Sequence, residues 1–341
     1  MRVSLDETPS RYGIPDVSQR RTRAHSPRVR TTGAGTLDIG LVNNMPDAAL
    51  EQTERQFIGL LKAAAGERRI RVKLFYVPDI ARAGAARERV QLQYAPIEEL
   101  WESRLDGLIV TGNEPRTPDL RAEPYWRTLA KIVDWAEAKT RSTIWSCLAA
   151  HAAVLHMDGV TRHALADKCF GVFDCIRSAD EPVMKGLPAR LAFPHSRWNE
   201  LREAELAVAG YSILTRSNAA GVDMFARQGN SLFVFFQGHP EYEARTLMGE
   251  YRRDVRRFLR GERETYPPMP HDYFDERTAR RLAEFHLRAL SDRREALIEA
   301  FPNGAEETLQ ARWRPAAERL MANWLGELAV RTWPPALAAA K

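Results

Sequence analysis

The sequence contains little cysteine and no long apolar run. Three cysteines among 341 residues are too few for a disulfide framework, so we expect a protein of the reducing cytoplasm. No apolar run approaches the roughly 20 residues that a membrane helix needs, and the polar N-terminus lacks the apolar core of a secretory signal. The sequence therefore argues against a membrane partner and against a secreted scaffold.

The composition is that of a globular protein, with 44% hydrophobic and 28% charged residues. The net charge of +5 is unevenly spread, because six arginines against one aspartate lie between positions 11 and 30. Such an arm is usually a solvated tail, so we expect no nucleic-acid partner, and deleting residues 1–30 tests that alternative. We predict a disordered basic arm over 1–35, an α/β domain over 36–262 and a helical C-terminal extension over 263–341.

Short apolar segments alternate with helical patterns in the first half of the chain. Segments typical of buried strands lie at 37–42, 71–77, 105–110 and 142–146. This alternation predicts a doubly wound, mostly parallel sheet, in which ligands bind at the carboxyl ends of the strands. From Lys168 the pattern becomes more β-like, up to the apolar run Leu232–Phe236, and a helix is predicted over 244–259.

Cys147 lies where the apolar run T-I-W-S gives way to small, helix-favouring residues. A thiol at such a strand-to-helix turn stands near unpaired helix N–H groups, which favour a thiolate and can hold an oxyanion. We expect the oxyanion donors near Leu148 and in the loop Asn43–Met45. On this stretch alone, a buried structural thiol is an equal alternative.

His239 and Glu241 follow directly after the apolar run that ends at Phe236. Both residues should therefore lie at the same sheet edge as Cys147. A histidine that takes the thiol proton and a carboxylate that orients the histidine complete a catalytic triad. For His239 alone, a surface turn is the alternative, but three suitable residues at strand ends favour the triad.

Other histidines do not form a metal-binding pattern. His151, His156 and His163 share no helix face, so we predict no metal site.

Several motifs occur together in one order, from about Leu37 to about Trp324. They include N-N-M-P, D-G-L-I-V-T-G, K-C-F-G-V-F, P-H-S-R and G-H-P-E-Y-E-A-R-T-L-M-G-E-Y-R-R-D. In these motifs the chain resembles the homoserine O-succinyltransferase/O-acetyltransferase family of methionine biosynthesis. The resemblance implies a class I glutamine-amidotransferase-like, flavodoxin-like fold with a helical C-terminal extension.

The same resemblance implies catalytic roles. Cys147 matches the cysteine that takes the acyl group from acyl-CoA as a thioester, His239 matches the general base, and Glu241 matches its partner. The implied reaction is ping-pong transfer to the hydroxyl of L-homoserine in the cytoplasm. It needs no cofactor beyond acyl-CoA as co-substrate, its partners are small-molecule substrates, and the expected assembly is a homodimer.

The resemblance also implies a substrate site. Lys168 matches a lysine of that site, and Ser196 matches a residue tied to substrate choice. Glu250 and Arg253 match the groups that hold the ammonium and the carboxylate of the amino acid. Arginine can bind a carboxylate through two hydrogen bonds, which suits this role, whereas a solvated ion pair is the alternative.

The sequence departs from the family pattern at three places. Asp47-Ala48 replaces a basic pair, Leu148 replaces a tryptophan, and Arg116 occupies the position tied to acyl selectivity, where the family has Gly or Glu. A cation at position 116 suits a succinyl carboxylate, so succinyl is favoured over acetyl. Three alternatives stay open: glutamine hydrolysis, transfer to serine or a related hydroxy amino acid, and a non-catalytic relative.

Overall fold

The computed structural model describes residues 3–5, 35–302 and 308–334. Its strands are β1 (Val3–Leu5), β2 (Leu37–Val42), β3 (Ile70–Tyr76), β4 (Ala95–Pro96), β5 (Gly107–Val110), β6 (Ser142–Ser146), β7 (His163–Arg177), β8 (Arg190–Glu200), β9 (Ser212–Ser217), β10 (Gly221–Gln228) and β11 (Leu232–Phe236). Its helices are α1 (Asp47–Ala64), α2 (Gly84–Gln93), α3 (Glu98–Trp101), α4 (Trp126–Lys139), α5 (Leu148–Asp158), α6 (Glu203–Val208), α7 (Thr246–Leu259), α8 (Glu276–Ser291) and α9 (Arg314–Val330). The predicted arm over 1–35 lies outside the described residues apart from β1 and residue 35.

The strands form one sheet in the order β1-β3-β2-β5-β6-β11-β10-β9-β7-β8, with β4 paired to β3. The first six strands in this order, β1 to β11, pair with their neighbours in parallel. Those from β11 to β8 are antiparallel. The antiparallel half corresponds to the β-like part of the sequence.

Apolar side chains cover both faces of the sheet. Residues of α1, α7, α8 and α9 pack on one face, and residues of α3, α4, α5 and α6 pack on the other. Strands β5 and β6 are buried along their whole length because helices cover them on both sides. The predicted doubly wound, mostly parallel α/β fold is confirmed.

The C-terminal helix α9 joins the core of the sheet. Its Trp324 donates a hydrogen bond from Nε1 to Oγ of Ser142 over 2.9 Å, and Leu328 belongs to the same apolar cluster as Leu37. The boundary at residue 262 stays a prediction. Within the described ranges, no helix is long and apolar enough to cross a membrane.

Strand β8 occupies the end of the sheet and carries the P-H-S-R motif. Pro194 has no N–H to donate, and such a residue is tolerated because β8 pairs with β7 alone among the described strands. The strand alternation buries His195 and Arg197. Ser196, which lies between them, faces the opposite side, where α7 packs.

Candidate active site

Cys147 occupies a strained turn between β6 and α5. Its backbone has φ 54° and ψ −115°, a conformation that is rare for a residue other than glycine. The Cys147 N–H donates to the carbonyl oxygen of Phe236 over 2.7 Å, which ties the turn to the end of β11. The thiol is partly exposed at the predicted strand-to-helix junction.

His239 lies between the thiol and a carboxylate. Its Nδ1 is 2.8 Å from Oε1 of Glu241, and both side chains are buried. Burial by itself lowers the pKa of His239, but the charges of Glu241 and Cys147, which also hydrogen-bond to the ring, raise it well above the usual value. The structure therefore brings the three predicted catalytic residues together.

A turn places a further aromatic side chain against the histidine. The Tyr242 N–H donates to the His239 carbonyl oxygen over 3.2 Å and closes a four-residue turn. Pro240 is the second residue of this turn, a position that proline favours. The two rings stack with centroids 4.3 Å apart and planes 17° apart. Sequence reasoning missed Tyr242, although it directly follows Glu241.

The predicted substrate residues form a polar cluster next to this turn. Glu250 accepts a hydrogen bond at Oε1 from the Tyr242 hydroxyl over 2.6 Å and another at Oε2 from Oγ of Ser196. Nζ of Lys168 lies 3.7 Å from Oε2 of Glu250. Strands β7 and β8 and helix α7 thus bring Lys168, Ser196 and Glu250 together.

Asp254 is a member of the cluster that the sequence did not reveal. Nζ of Lys168 lies 3.2 Å from Oδ2 of Asp254, and Nη2 of Arg253 lies 3.2 Å from Oδ1. Burial alone raises the pKa of Asp254, but the two cations hold it below its usual value. The cluster therefore contains both cations and carboxylates, which can form charge-assisted hydrogen bonds with groups of either charge.

Arg116 forms no hydrogen bond or ion pair with these residues in the described part of the chain. Its side chain is exposed, and its backbone N–H donates to Oε1 of Glu123 over 2.5 Å. The guanidinium of Arg162 donates to the carbonyl oxygens of Thr117 and Pro118 in the same loop, over 3.2 and 3.0 Å. No carboxylate of the described chain forms an ion pair with Arg116.

The expected oxyanion donors are only partly available. In the loop after β2, the N–H groups of Asn43, Asn44 and Met45 donate to Phe75 O, Thr111 Oγ1 and Asn43 Oδ1 in turn, so these contacts give the expectation for Asn43–Met45 no support and it stays a prediction. The Leu148 N–H, at the start of α5, has no acceptor within hydrogen-bond distance among the described residues. Gly112 lies directly against it, since a Cβ there would be 2.9 Å from Leu148 N.

The histidines outside the triad have separate partners. His151, His156 and His163 contact Gln237, Asp134 and Glu205 in turn. Within the described ranges, one group has metal-ligand types at suitable spacing, namely Cys175, His195 and Asp223. In it Nε2 of His195 lies 3.2 Å from Oδ1 of Asp223, without the geometry of a hydrogen bond.

The chain matches known proteins over most of its length. The family model described as homoserine O-succinyltransferase matches residues 18–333. The homoserine O-succinyltransferase of Rhodopseudomonas palustris is 50% identical over 305 residues, covering 88% of this chain and 90% of the relative. That of Bradyrhizobium japonicum is 50% identical over 294 residues, covering 86% and 90%.

Among solved structures, a glutamine amidotransferase from Thermotoga maritima aligns with a TM-score of 0.46 at 12% identity, covering 86% of this chain and 98% of that one. One from Methylobacillus flagellatus aligns with a TM-score of 0.47 at 17% identity, covering 88% and 96%.

Proposed function

Because the chain belongs to the homoserine O-succinyltransferase family, we propose that it moves a succinyl group from succinyl-CoA to the hydroxyl of L-homoserine, in methionine biosynthesis. The observation that carries the proposal is the placement of His239 between Cys147 and Glu241, beside the charged cluster around Glu250. Family membership confirms the predicted enzyme class, with the succinyl form favoured.

In the first half-reaction, Cys147 attacks the thioester carbonyl of succinyl-CoA. His239, which contacts both Cys147 and Glu241, takes the thiol proton as the sulfur attacks. The developing oxyanion accepts a hydrogen bond from the Leu148 N–H, at the N-terminus of α5. When the tetrahedral intermediate collapses, the bond to the CoA sulfur breaks, the His239 proton passes to that sulfur, and Cys147 keeps the succinyl group.

In the second half-reaction, homoserine binds in the cluster on α7. Glu250 contacts its ammonium group and Arg253 its carboxylate, while Lys168 and Ser196 hold the Glu250 carboxylate in place. His239, now neutral, takes the proton of the hydroxyl, whose oxygen attacks the thioester of Cys147. O-succinylhomoserine leaves, the proton passes from His239 to the Cys147 sulfur, and the starting thiol and imidazole are restored without any cofactor.

The proposal includes the setting of the enzyme. The three cysteines are free thiols, which suits a reducing cytoplasm. We further propose small-molecule substrates as its partners and a homodimer as its assembly, for which sedimentation equilibrium is the test.

The decisive experiment is mass spectrometry of the protein mixed with succinyl-CoA alone. The expected result is one succinyl adduct on Cys147 with release of CoA, and no adduct on the Cys147→Ala variant. Adding homoserine should discharge the adduct, while serine should not. Absence of an adduct would rule out the acyl-enzyme, and ammonia release from glutamine would favour the amidotransferase alternative.

A further inference from the structure

Tyr242 contacts both halves of the candidate active site. One face of its ring lies on the imidazole of His239, with 4.3 Å between centroids, and its hydroxyl donates to Oε1 of Glu250 over 2.6 Å. Its own carbonyl oxygen accepts a hydrogen bond from Nε1 of Trp313 over 2.8 Å. The residue is 7% exposed, and these contacts hold both its side chain and its backbone.

The carboxylate of Glu250 depends on these contacts for its orientation. Tyr242 donates to one oxygen and Ser196 to the other, while Lys168 is 3.7 Å away. Burial and the charge of Glu250 raise the pKa of the Tyr242 phenol well above its usual value, so the hydroxyl stays a donor. Arg253 does not share in these contacts of Glu250, because its guanidinium pairs with Asp254.

We propose that Tyr242 is a positioning residue that couples the amino-acid subsite to the catalytic base. Its ring fixes the plane of the His239 imidazole, and its hydroxyl fixes the Glu250 carboxylate that meets the ammonium group of the acceptor. The proposal rests on the proposed function, since it assigns Tyr242 a part in that reaction.

The ring contact acts in both half-reactions through His239, whereas the hydroxyl contact acts only in the second through Glu250, so two variants can separate them. Tyr242→Phe keeps the stacked ring and removes the hydroxyl. The expected result is a rise of about tenfold in the KM for homoserine, because a hydrogen bond to a charged group is lost. The burst of CoA release without homoserine should stay within about twofold of the unaltered enzyme, because that step does not involve Glu250.

Tyr242→Leu removes the ring as well. Its CoA burst is expected to slow by about tenfold or more, because the imidazole loses the surface that orients it. The CoA burst of Tyr242→Phe should be faster than that of Tyr242→Leu and close to that of the unaltered enzyme. If Tyr242 only stabilised the fold, Tyr242→Phe would not change the KM for homoserine while leaving the burst intact. Thermal unfolding of each variant monitors the fold.

Tyr266→Phe is the matched control. Tyr266 also stacks on a histidine, His286, with centroids 3.9 Å apart, and it contacts no triad residue in the described structure. Its variant should keep both the KM and the burst. An unchanged KM in Tyr242→Phe, or a normal burst in Tyr242→Leu, overturns the inference. Absence of any burst in the unaltered enzyme would instead count against the proposed function itself.

Discussion

A Cβ atom placed on Gly112 would lie 2.9 Å from the backbone nitrogen of Leu148. The loop after β5 therefore packs against the N-terminus of α5, beside the Cys147 thiol. The atoms it meets belong to the backbone and Cβ of Leu148, which cannot rotate away. Residue 112 accordingly has to be glycine if the Leu148 N–H is to remain open to an oxyanion.

Gly112→Ala should reduce kcat by about 100-fold, the usual effect of losing one oxyanion donor. Steady-state kinetics measure the loss, and circular dichroism checks the fold. Gly59→Ala is the control, because a Cβ there meets nothing within 4 Å. It should leave kcat unchanged and stabilise α1 by about 0.5–1 kcal/mol. Equal kcat values for the two variants would remove Leu148 from the mechanism.

Glu241→Gln should lower the pKa of His239 towards or below its ordinary value of about 6.5. In this variant burial still lowers the pKa of His239, and the negative charge of Glu241, which raises that pKa, is removed. Because the pKa in the folded protein is raised, the stabilisation that the charged pair gives is fully present below pH of about 6.5. It is lost as the pH rises through the folded-state pKa.

An NMR titration of the imidazole measures this change. Glu243→Gln is the control, since Glu243 pairs only with the exposed Arg55 in the described chain and should leave His239 unaffected. An imidazole that titrates at the same pH in Glu241→Gln and in the unaltered protein would contradict the assigned role of Glu241.

The elements that carry the candidate triad could be predicted because their signals are local. The junction at Cys147 and the strand that ends before His239 each depend on a short run of apolar residues followed by a turn. The parallel half of the sheet followed from the alternation of strand and helix patterns. The predicted strand 142–146 matches β6 residue for residue.

Other features depend on contacts between distant parts of the chain. Asp254 is one of several charged residues in α7, and its partner Lys168 lies 86 positions away in the sequence. The P-H-S-R motif looks polar and contains a proline, so a strand was not expected there. Its strand character becomes visible only when β8 is known to lie at the end of the sheet.

Asp254→Asn should destabilise the protein by about 3 kcal/mol at neutral pH. The substitution leaves the buried ammonium group of Lys168 without its 3.2 Å partner, and breaking a buried pair has a cost of this order. Because the pKa of Asp254 is lowered in the folded state, its contribution is full above about pH 4 and is lost as the pH falls further. Urea unfolding at pH 7, 5 and 3 measures the difference, which should shrink only at pH 3. A constant difference would mean that the charge of Asp254 is not its cause.

Arg116→Glu should lower kcat/KM for succinyl-CoA by about tenfold and leave that for acetyl-CoA within about twofold. The exposed guanidinium forms no ion pair with a carboxylate of the described residues and can attract the free carboxylate of a succinyl group, whereas a glutamate repels it. Arg121→Glu makes the same charge change at another exposed position of this segment, so it controls for a general electrostatic effect on CoA binding. If both variants weaken both donors equally, position 116 does not select the acyl group. A loss confined to Arg116→Glu and to succinyl-CoA would assign that selection to the guanidinium.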